Sequence, residues 1–384
     1  MVLSGLKLMG YKGVLNIQTR GKLISEVSDS LNGFAGDHEI IFANAMALPG
    51  LINSHDHLDF NLFPQLGDQI YSNYVEWGET IHLHHKEQIN KVLKVPAALR
   101  AQWGIYKNLL CGVTTVVDHG KKQYKDRPLI TVFDRCQSLH SVKLEKRWRL
   151  RLNNPFKMNV PAVIHIGEGT DQASADEIDE LICQNKLRRK IIGVHGVAMN
   201  EQQAQHFKAL VWCLQTNYFL LNRTASVNKL KATVPILFGT DSTLTANWDI
   251  WDHIRMTKKT AFLTDDELYQ SLTSTAAKIW NINSGNIARG KLADIVVVDQ
   301  SDGDDLTSFF KIEPEAILMV MHQGEIRLFD EILFGQLTHI DLSSFNKIKM
   351  NGVVKYVQGD LPGLIEQIWQ YYPEARFPIG TFQQ

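Results

Sequence analysis

The chain opens with short runs in which apolar residues alternate with polar ones, Val14, Leu15 and Ile17 and then Ile40, Ile41 and Phe42, separated by glycine-containing turns. Alternation with period two predicts small antiparallel strands over residues 1–46. From Ala47 the pattern changes. The run Ala47 to Ser54, interrupted at Pro49 and Gly50, predicts the first buried strand of a larger unit. Residues 59–95 mix aromatic and polar positions without a clean period and predict a long insertion. Long connections after parallel strands commonly cover sites, so this one is a candidate lid; the alternative is a loop packed on a neighbouring subunit. Pro96 to Leu110 has helical spacing, and Cys111-Gly112 closes it before the β-branched run Val113 to Val117, which predicts a buried strand.

Beyond Gly120 the pattern weakens as far as Pro161, with room for one helix and one or two short strands, less than a full eight-unit barrel takes. It then repeats clearly. Short apolar strands end at His165, at His195 and at Asp241, with a further strand at Val211 to Leu214, and helical stretches such as ASADEIDELI and NEQQAQHFKAL lie between them. A spacing of about 30 residues is one βα unit. A helix from Asp265, DELYQSLTSTAAKIW, leads to short strands at Ile295 to Val298, Ile317 to Met321 and Ile326 to Phe329. These pair with residues 1–46 in one small composite β-domain. The tail, 337–384, holds an amphipathic helix at Leu361 to Tyr371 that caps either the site or an interface.

Composition narrows the partners. With 384 residues and 44% apolar content the chain can bury a substantial core. Its 40 basic and 41 acidic residues nearly cancel, which argues against nucleic acid or an anionic membrane and for a small molecule. Four scattered cysteines without C-x-x-C spacing, no signal-like amino terminus and no uncharged run of 18 residues predict a cytoplasmic, reduced protein.

The candidate chemistry begins at ALPGLINSHDHLD. Residues i and i+2 of a strand face one side, so His55 and His57 can reach one metal ion. Chance alone supplies roughly 0.5 such pairs among 14 histidines. The second pair, His82 and His84, runs with His85 into the polar KEQINK and reads as a solvated helix start. What separates the first pair is its setting: strand ends also carry His165, His195 and Asp241, with Glu168 and Asp118 close by and His119 next to Asp118 as either a substrate-contacting or supporting residue or a satisfied structural histidine.

This set resembles the metal-dependent amidohydrolase superfamily, in its deaminase and imidazolonepropionase-like branch. The resemblance rests on PGLINSHDHL, GVTTVVDHG, HIGEGTD, GVHG, GTDS and the tail from TAAKIW to ARGKLADIVVVD, in order along the chain. It implies an α/β fold, a distorted TIM (β/α)8 barrel over 47–285 with a composite β-sandwich from 1–46 and 286–336. It implies one divalent metal, Zn²⁺ first, with iron or manganese compatible with the same ligand types, held by His55, His57, His165 and Asp241. In that pattern the metal activates water and Asp241 accepts its proton. Glu168 protonates the substrate nitrogen, and His195 polarises the substrate oxygen or the attacking water. For Glu168 the plainer reading is an acid favoured at a helix N-terminus.

Two features depart from the family. No lysine is clearly placed on the fourth strand, where only Lys143 and Lys146 fall in the region, so a lysine-bridged binuclear site is the lesser reading. The seventh-strand region reads WCLQTN, with Asn217 the one matching position. The implied function is a hydrolase acting on non-peptide carbon–nitrogen bonds, deaminating an aminated heterocycle or amidine. The alternatives are a ring-opening or amide-cleaving hydrolase and, in a different class, a catalytically silent barrel scaffold. The family also implies a homodimer.

Overall fold

A computed structural model describes residues 1–30, 37–124, 128–300 and 305–381. The first four strands, β1 (Val2–Leu8), β2 (Leu15–Arg20), β3 (Leu23–Ser28) and β4 (Glu39–Pro49), belong to a ten-stranded sheet. The expectation of purely antiparallel strands is corrected here: β1 lies parallel to β4 and antiparallel to β2. Ala47 to Pro49 complete β4 instead of opening the next unit. The reason is local: Gly50 passes so close to Thr114 that a Cβ would meet its Oγ1 at 2.2 Å, and the chain crosses to a new sheet at this point.

Eight strands then run in sequence: β5 (Leu51–Asp56), β6 (Val113–Asp118), β7 (Thr131–Val132), β8 (Gln137–Ser141), β9 (Ala162–Ile166), β10 (Ile191–His195), β11 (Ala209–Trp212) and β12 (Ile236–Phe238). They form two parallel sheets, β5-β6-β7 and β12-β11-β10-β9-β8. Burial on both faces explains their unbroken apolar runs; every residue of β9, β10, β11 and β12 is buried. The edges meet at β12 and β5, where the amides of Thr240 and Asp241 donate to the carbonyl of His55 at 3.1 and 3.0 Å. Between β7 and β8 only residues 133–136 intervene, too few for a crossover helix, and no ladder joins these two strands among the described residues. This is where the sequence is short of chain. His119, after β6, spans the gap by donating from Nε2 to the carbonyl of Leu139 in β8 at 2.9 Å.

The remaining strands, β13 (Ile295–Asp299), β14 (Ile317–His322), β15 (Glu325–Asp330), β16 (Phe345–Met350), β17 (Val353–Gln358) and β18 (Gly380–Thr381), return to the first sheet, in the order β18-β16-β17-β15-β14-β13-β4-β1-β2-β3. Alternation along β13 makes that sheet a wall between two cores: Ile295 and Val297 pack on one side, Val296 and Val298 on the other. The tail contributes β16, β17 and β18 as well as its helix Leu361–Tyr371. That helix buries Leu361, Leu364, Ile365 and Ile368 along one stripe. It packs beside the helix Ala97–Leu110, whose Tyr106 hydroxyl donates to the carbonyl of Gln358 at 3.2 Å.

Three other local expectations change. The insertion 59–95 is largely helical, with helices Tyr74–His84 and Lys86–Leu93. The strand expected at Val211 to Leu214 ends at Trp212, and Leu214 begins a helix to Leu221 that carries Asn217. The helix from Asp265 is two, Asp265–Ser271 and Ser274–Trp280, broken at Thr273, whose backbone is not helical. Among the described residues no helix is long and apolar enough to cross a membrane.

Candidate metal centre and active-site pocket

Strand β5 is extended through His57, so His55 and His57 project to the same side at its carboxyl end. His165 arrives from β9. Its Nε2 lies 3.1 Å from His55 Nε2 and 3.2 Å from His57 Nε2. Asp241, three residues beyond β12, brings Oδ1 to 3.8 Å from His57 Nε2 and 4.0 Å from His55 Nε2. Side chains up to 186 positions apart, from His55 to Asp241, thus converge on one point. Nothing but the parallel topology brings them there.

The protonation states suit metal ligation. Burial, with neighbouring imidazoles adding to it, holds His55 and His165 well below the usual histidine range, so both are neutral at pH 7. His165 donates from Nδ1 to the carbonyl of His140 at 2.7 Å, which leaves the Nε2 lone pair facing the other two rings. The observed nitrogen spacings are close to the about 3.3 Å that bonds of about 2.05 Å at tetrahedral angles would give. His55, His57 and Asp241 offer one group of donors within 4.8 Å of each other, and His55, His165 and His195 a second. Three imidazoles and a carboxylate fit one divalent ion, zinc before harder cations.

Behind this cluster stand His195 and Glu168. His195 donates from Nδ1 to Asn217 Oδ1 at 2.9 Å, so its Nε2 presents a lone pair, 3.5 Å from Glu168 Oε2 and 3.9 Å from Asp241 Oδ2. Burial and the nearby carboxylates of Asp241 and Glu177 raise Glu168 well above the ordinary carboxyl range. His195 and Asp241 both adopt left-handed backbone angles, φ 73° and 57°, sparsely populated for residues with a Cβ. Such conformations cluster where the fold overdetermines a side chain's aim.

The other residues singled out from the sequence stand outside the ligand set. Asp118 turns away: its Oδ1 accepts from the amides of Leu58 and Gly120, and burial pushes it up to about 6. His119 is buried behind His165, their ring centroids 4.2 Å apart. His84 sits 3.6 Å from Asp68 near the surface, and neither it nor His82 belongs to a metal-capable group among the described residues.

Below the cluster lies a polar network absent from the sequence reading. Asp56, between the two histidines, accepts at Oδ2 from Lys107 Nζ at 3.0 Å, Asn108 Nδ2 at 2.9 Å and Asn53 Nδ2 at 3.1 Å, and at Oδ1 from Asn61 Nδ2 at 2.6 Å. Asn53 also bridges to Thr240, donating to its Oγ1 and accepting from its amide. The network ties β5 to the residue preceding Asp241. A signal was available: Lys107 occupies the buried stripe of its helix with Trp103 and Gly104.

Above the cluster a cavity of about 310 Å³ opens. Phe60, Phe63 and the insertion helices, through Tyr74, Trp77 and Ile81, form its wall. The first helix is anchored to the loop carrying Glu168. Asn73 caps it, accepting from the amides of Val75 and Glu76, and the amide of Tyr74 donates to the carbonyl of Glu168 at 3.0 Å. The insertion therefore covers the site as a fixed helical wall.

With this geometry in hand, known proteins offer a frame. The profile of the Amidohydrolase family matches residues 153–327. The chain resembles the metal-dependent amidohydrolases in sequence and in fold alike. A 5'-deoxyadenosine deaminase from Methanococcus aeolicus is 22% identical over 67% of this chain and 74% of its own. Among solved structures, an adenosine deaminase from Xanthomonas campestris with bound zinc superposes with a TM-score of 0.68 at 16% identity, over 97% of both chains. A zinc complex of atrazine chlorohydrolase from Arthrobacter aurescens superposes with a TM-score of 0.65 at 15% identity, covering 85% of this chain and 94% of that one. The amidohydrolase fold of these neighbours implies a TIM-like barrel with an added domain; in this chain the parallel strands form two sheets, β5-β6-β7 and β12-β11-β10-β9-β8, beside the ten-stranded one.

Proposed function

We propose that the protein is a metal-dependent hydrolase of non-peptide carbon–nitrogen bonds that deaminates an aminated heterocycle. The observation that carries this reading is the meeting of three imidazole nitrogens and Asp241 at one point, with a high-pKa carboxyl, Glu168, facing the same cavity. The deaminase relatives support the choice of reaction.

In this reading His55, His57, His165 and Asp241 hold the metal, which supplies Lewis-acid activation of water when bound. Asp241, its Oδ1 steadied by the amide of Ser242 at 2.9 Å, takes the proton of the attacking water. Glu168 enters protonated and delivers its proton to the ring nitrogen of the substrate, so that the attacked carbon becomes tetrahedral. It then carries the water's proton from Asp241 to the departing amine, which leaves as ammonia, and regains its own proton from the hydroxyl on the attacked carbon as the carbonyl forms. His195 accepts a hydrogen bond at Nε2 and orients the water, a role its tautomer favours over donation to a substrate oxygen. The proposal includes a cytoplasmic homodimer, supported by four free cysteines and by the family resemblance, and sedimentation of the purified chain tests the dimer.

A coupled ammonia assay across neutral aminated heterocycles tests the chemistry. Ammonia released in step with substrate loss is expected. A new carboxylate formed without ammonia would mean ring opening or amide cleavage instead, and no turnover by metal-replete protein would reduce the chain to a scaffold.

A further inference from the structure

The cavity divides by chemistry. Its carboxylates, Glu168 and Asp241, sit at the floor, and among the described residues lining it none is lysine or arginine. Three polar tips on the wall, those of Tyr74, Trp77 and Thr245, are engaged inside the protein, while His82 and Ser242 also line the cavity. Tyr74 donates its hydroxyl to Glu177 at 3.3 Å, Trp77 donates Nε1 to the carbonyl of Leu66 at 2.8 Å, and Thr245 pairs with Thr216 at 2.9 Å. What they turn toward the cavity is ring face and methyl group. His140 faces the cavity too, its Nδ1 3.3 Å from the Ser141 hydroxyl. At the mouth, Leu93 and Leu144 are 48% and 54% exposed and still line the opening. Exposed leucines rimming a cavity are what an apolar ligand covers.

We propose that the substrate is an uncharged aminated heterocycle bearing apolar substituents, in preference to a nucleoside, and that carboxylated or phosphorylated compounds are rejected. This rests on the deamination reading for the reacting end and on the wall for everything else. An anionic substituent against the wall would lose its hydration without meeting a lysine or arginine. A ribose would bury its hydroxyls chiefly against ring faces and leucines, with few open donors or acceptors to answer them. Alkyl groups gain from every one of those surfaces.

The test separates the wall from the chemistry. Zinc-loaded, full-length protein is titrated calorimetrically with three probes that lack the amino group: N-propylpurine, purine riboside and N-carboxyethylpurine. The corresponding 6-amino compounds go into the ammonia assay. Propylpurine is expected to bind about 10-fold or more tightly than the riboside and about 100-fold more tightly than the carboxyethyl compound. Preference for propylpurine with no ammonia from any compound would uphold the wall and defeat the deamination reading. Ammonia release favouring adenosine or the carboxyethyl compound, or tighter binding of their probes, would overturn the substrate class and leave deamination standing. Failure of all three probes to bind overturns the substrate class as well. A second measurement uses L144K, a half-exposed rim position where lysine disturbs no core. Carboxyethylpurine should then bind about 10-fold more tightly than it does to the unaltered chain; no gain would show that the rim does not meet the ligand.

Discussion

The floor and the wall of the site are built on opposite principles. Under the metal ligands buried polar side chains meet one another in a network: Asp56 alone accepts from Lys107, Asn108, Asn53 and Asn61. Around the cavity Tyr74, Trp77 and Thr245 turn their polar atoms outward and their apolar surfaces in. A dense polar network fixes atoms in one arrangement, because each displaced member leaves an unsatisfied partner. Apolar packing constrains volume and leaves more freedom in detail. The contrast teaches that geometry for chemistry and selectivity for substrate reside in separate parts, so the wall can diverge while the floor stays.

The largest break in that separation should come from Glu168. E168Q keeps the shape and removes the proton, so kcat is expected to fall by about 10²- to 10⁴-fold with metal content unchanged on elemental analysis. Loss of metal together with activity would mean that Glu168 belongs to the ligand set. Next is K107M, which strands Asp56 as a buried charge. A loss of about 3–5 kcal/mol in stability, read by denaturant unfolding, is expected. Because Asp56 sits between two ligand histidines, zinc affinity measured by chelator competition should also weaken about 10- to 100-fold. An unchanged zinc affinity in a folded variant would confine the network to a structural role.

How much of this was visible in the sequence follows from the range of the forces involved. The histidines and the aspartate at strand ends could be read because a parallel strand buried on both faces is a nearly continuous apolar run, and the first polar residue after it marks its end. His55, His57, His165, His195 and Asp241 do meet in space. The boundary between β4 and β5 was not readable, since Ala47 to Ile52 carries no polar side chain and the interruption at Pro49-Gly50 does not by itself tell a crossing between sheets from a kink in one strand; the close approach of Gly50 to Thr114 marks the crossing. The Lys107–Asp56 pair escaped for a different reason. It joins residues 51 positions apart, and no local pattern reveals which buried charge finds which. The first insertion helix, Tyr74–His84, likewise draws on tertiary anchors, such as the contact of Tyr74 with Glu168, more than on a strong apolar period.

Two smaller effects sharpen the comparison from the side of the wall. F63A removes a ring that packs edge-on against Phe60, with centroids 5.7 Å apart, and enlarges the cavity. KM for an apolar substrate should rise about 10-fold with little change in kcat, since a hydrophobic surface of this kind discriminates by about 1–3 kcal/mol. A fall in kcat alone would tie Phe63 to the chemistry.

The smallest concerns Glu177, where floor and wall meet. Its buried carboxyl accepts from the amide of Gly167 at 2.7 Å and from the Tyr74 hydroxyl at 3.3 Å, and burial raises its pKa from an ordinary 4.5 to about 7. Between those values the folded state keeps a proton that the unfolded chain has released. Its contribution to stability is therefore full below about pH 4.5 and is lost as pH rises to about 7. E177Q preserves the acceptor for Gly167 and cannot ionise. Relative to the unaltered chain it should gain on the order of 1 kcal/mol between pH 5 and pH 8, measured by denaturant unfolding at each pH. A difference that is flat with pH would mean that Glu177 is ionised throughout, held by the Gly167 amide more strongly than burial opposes it, and the wall's anchor would then be a charged one.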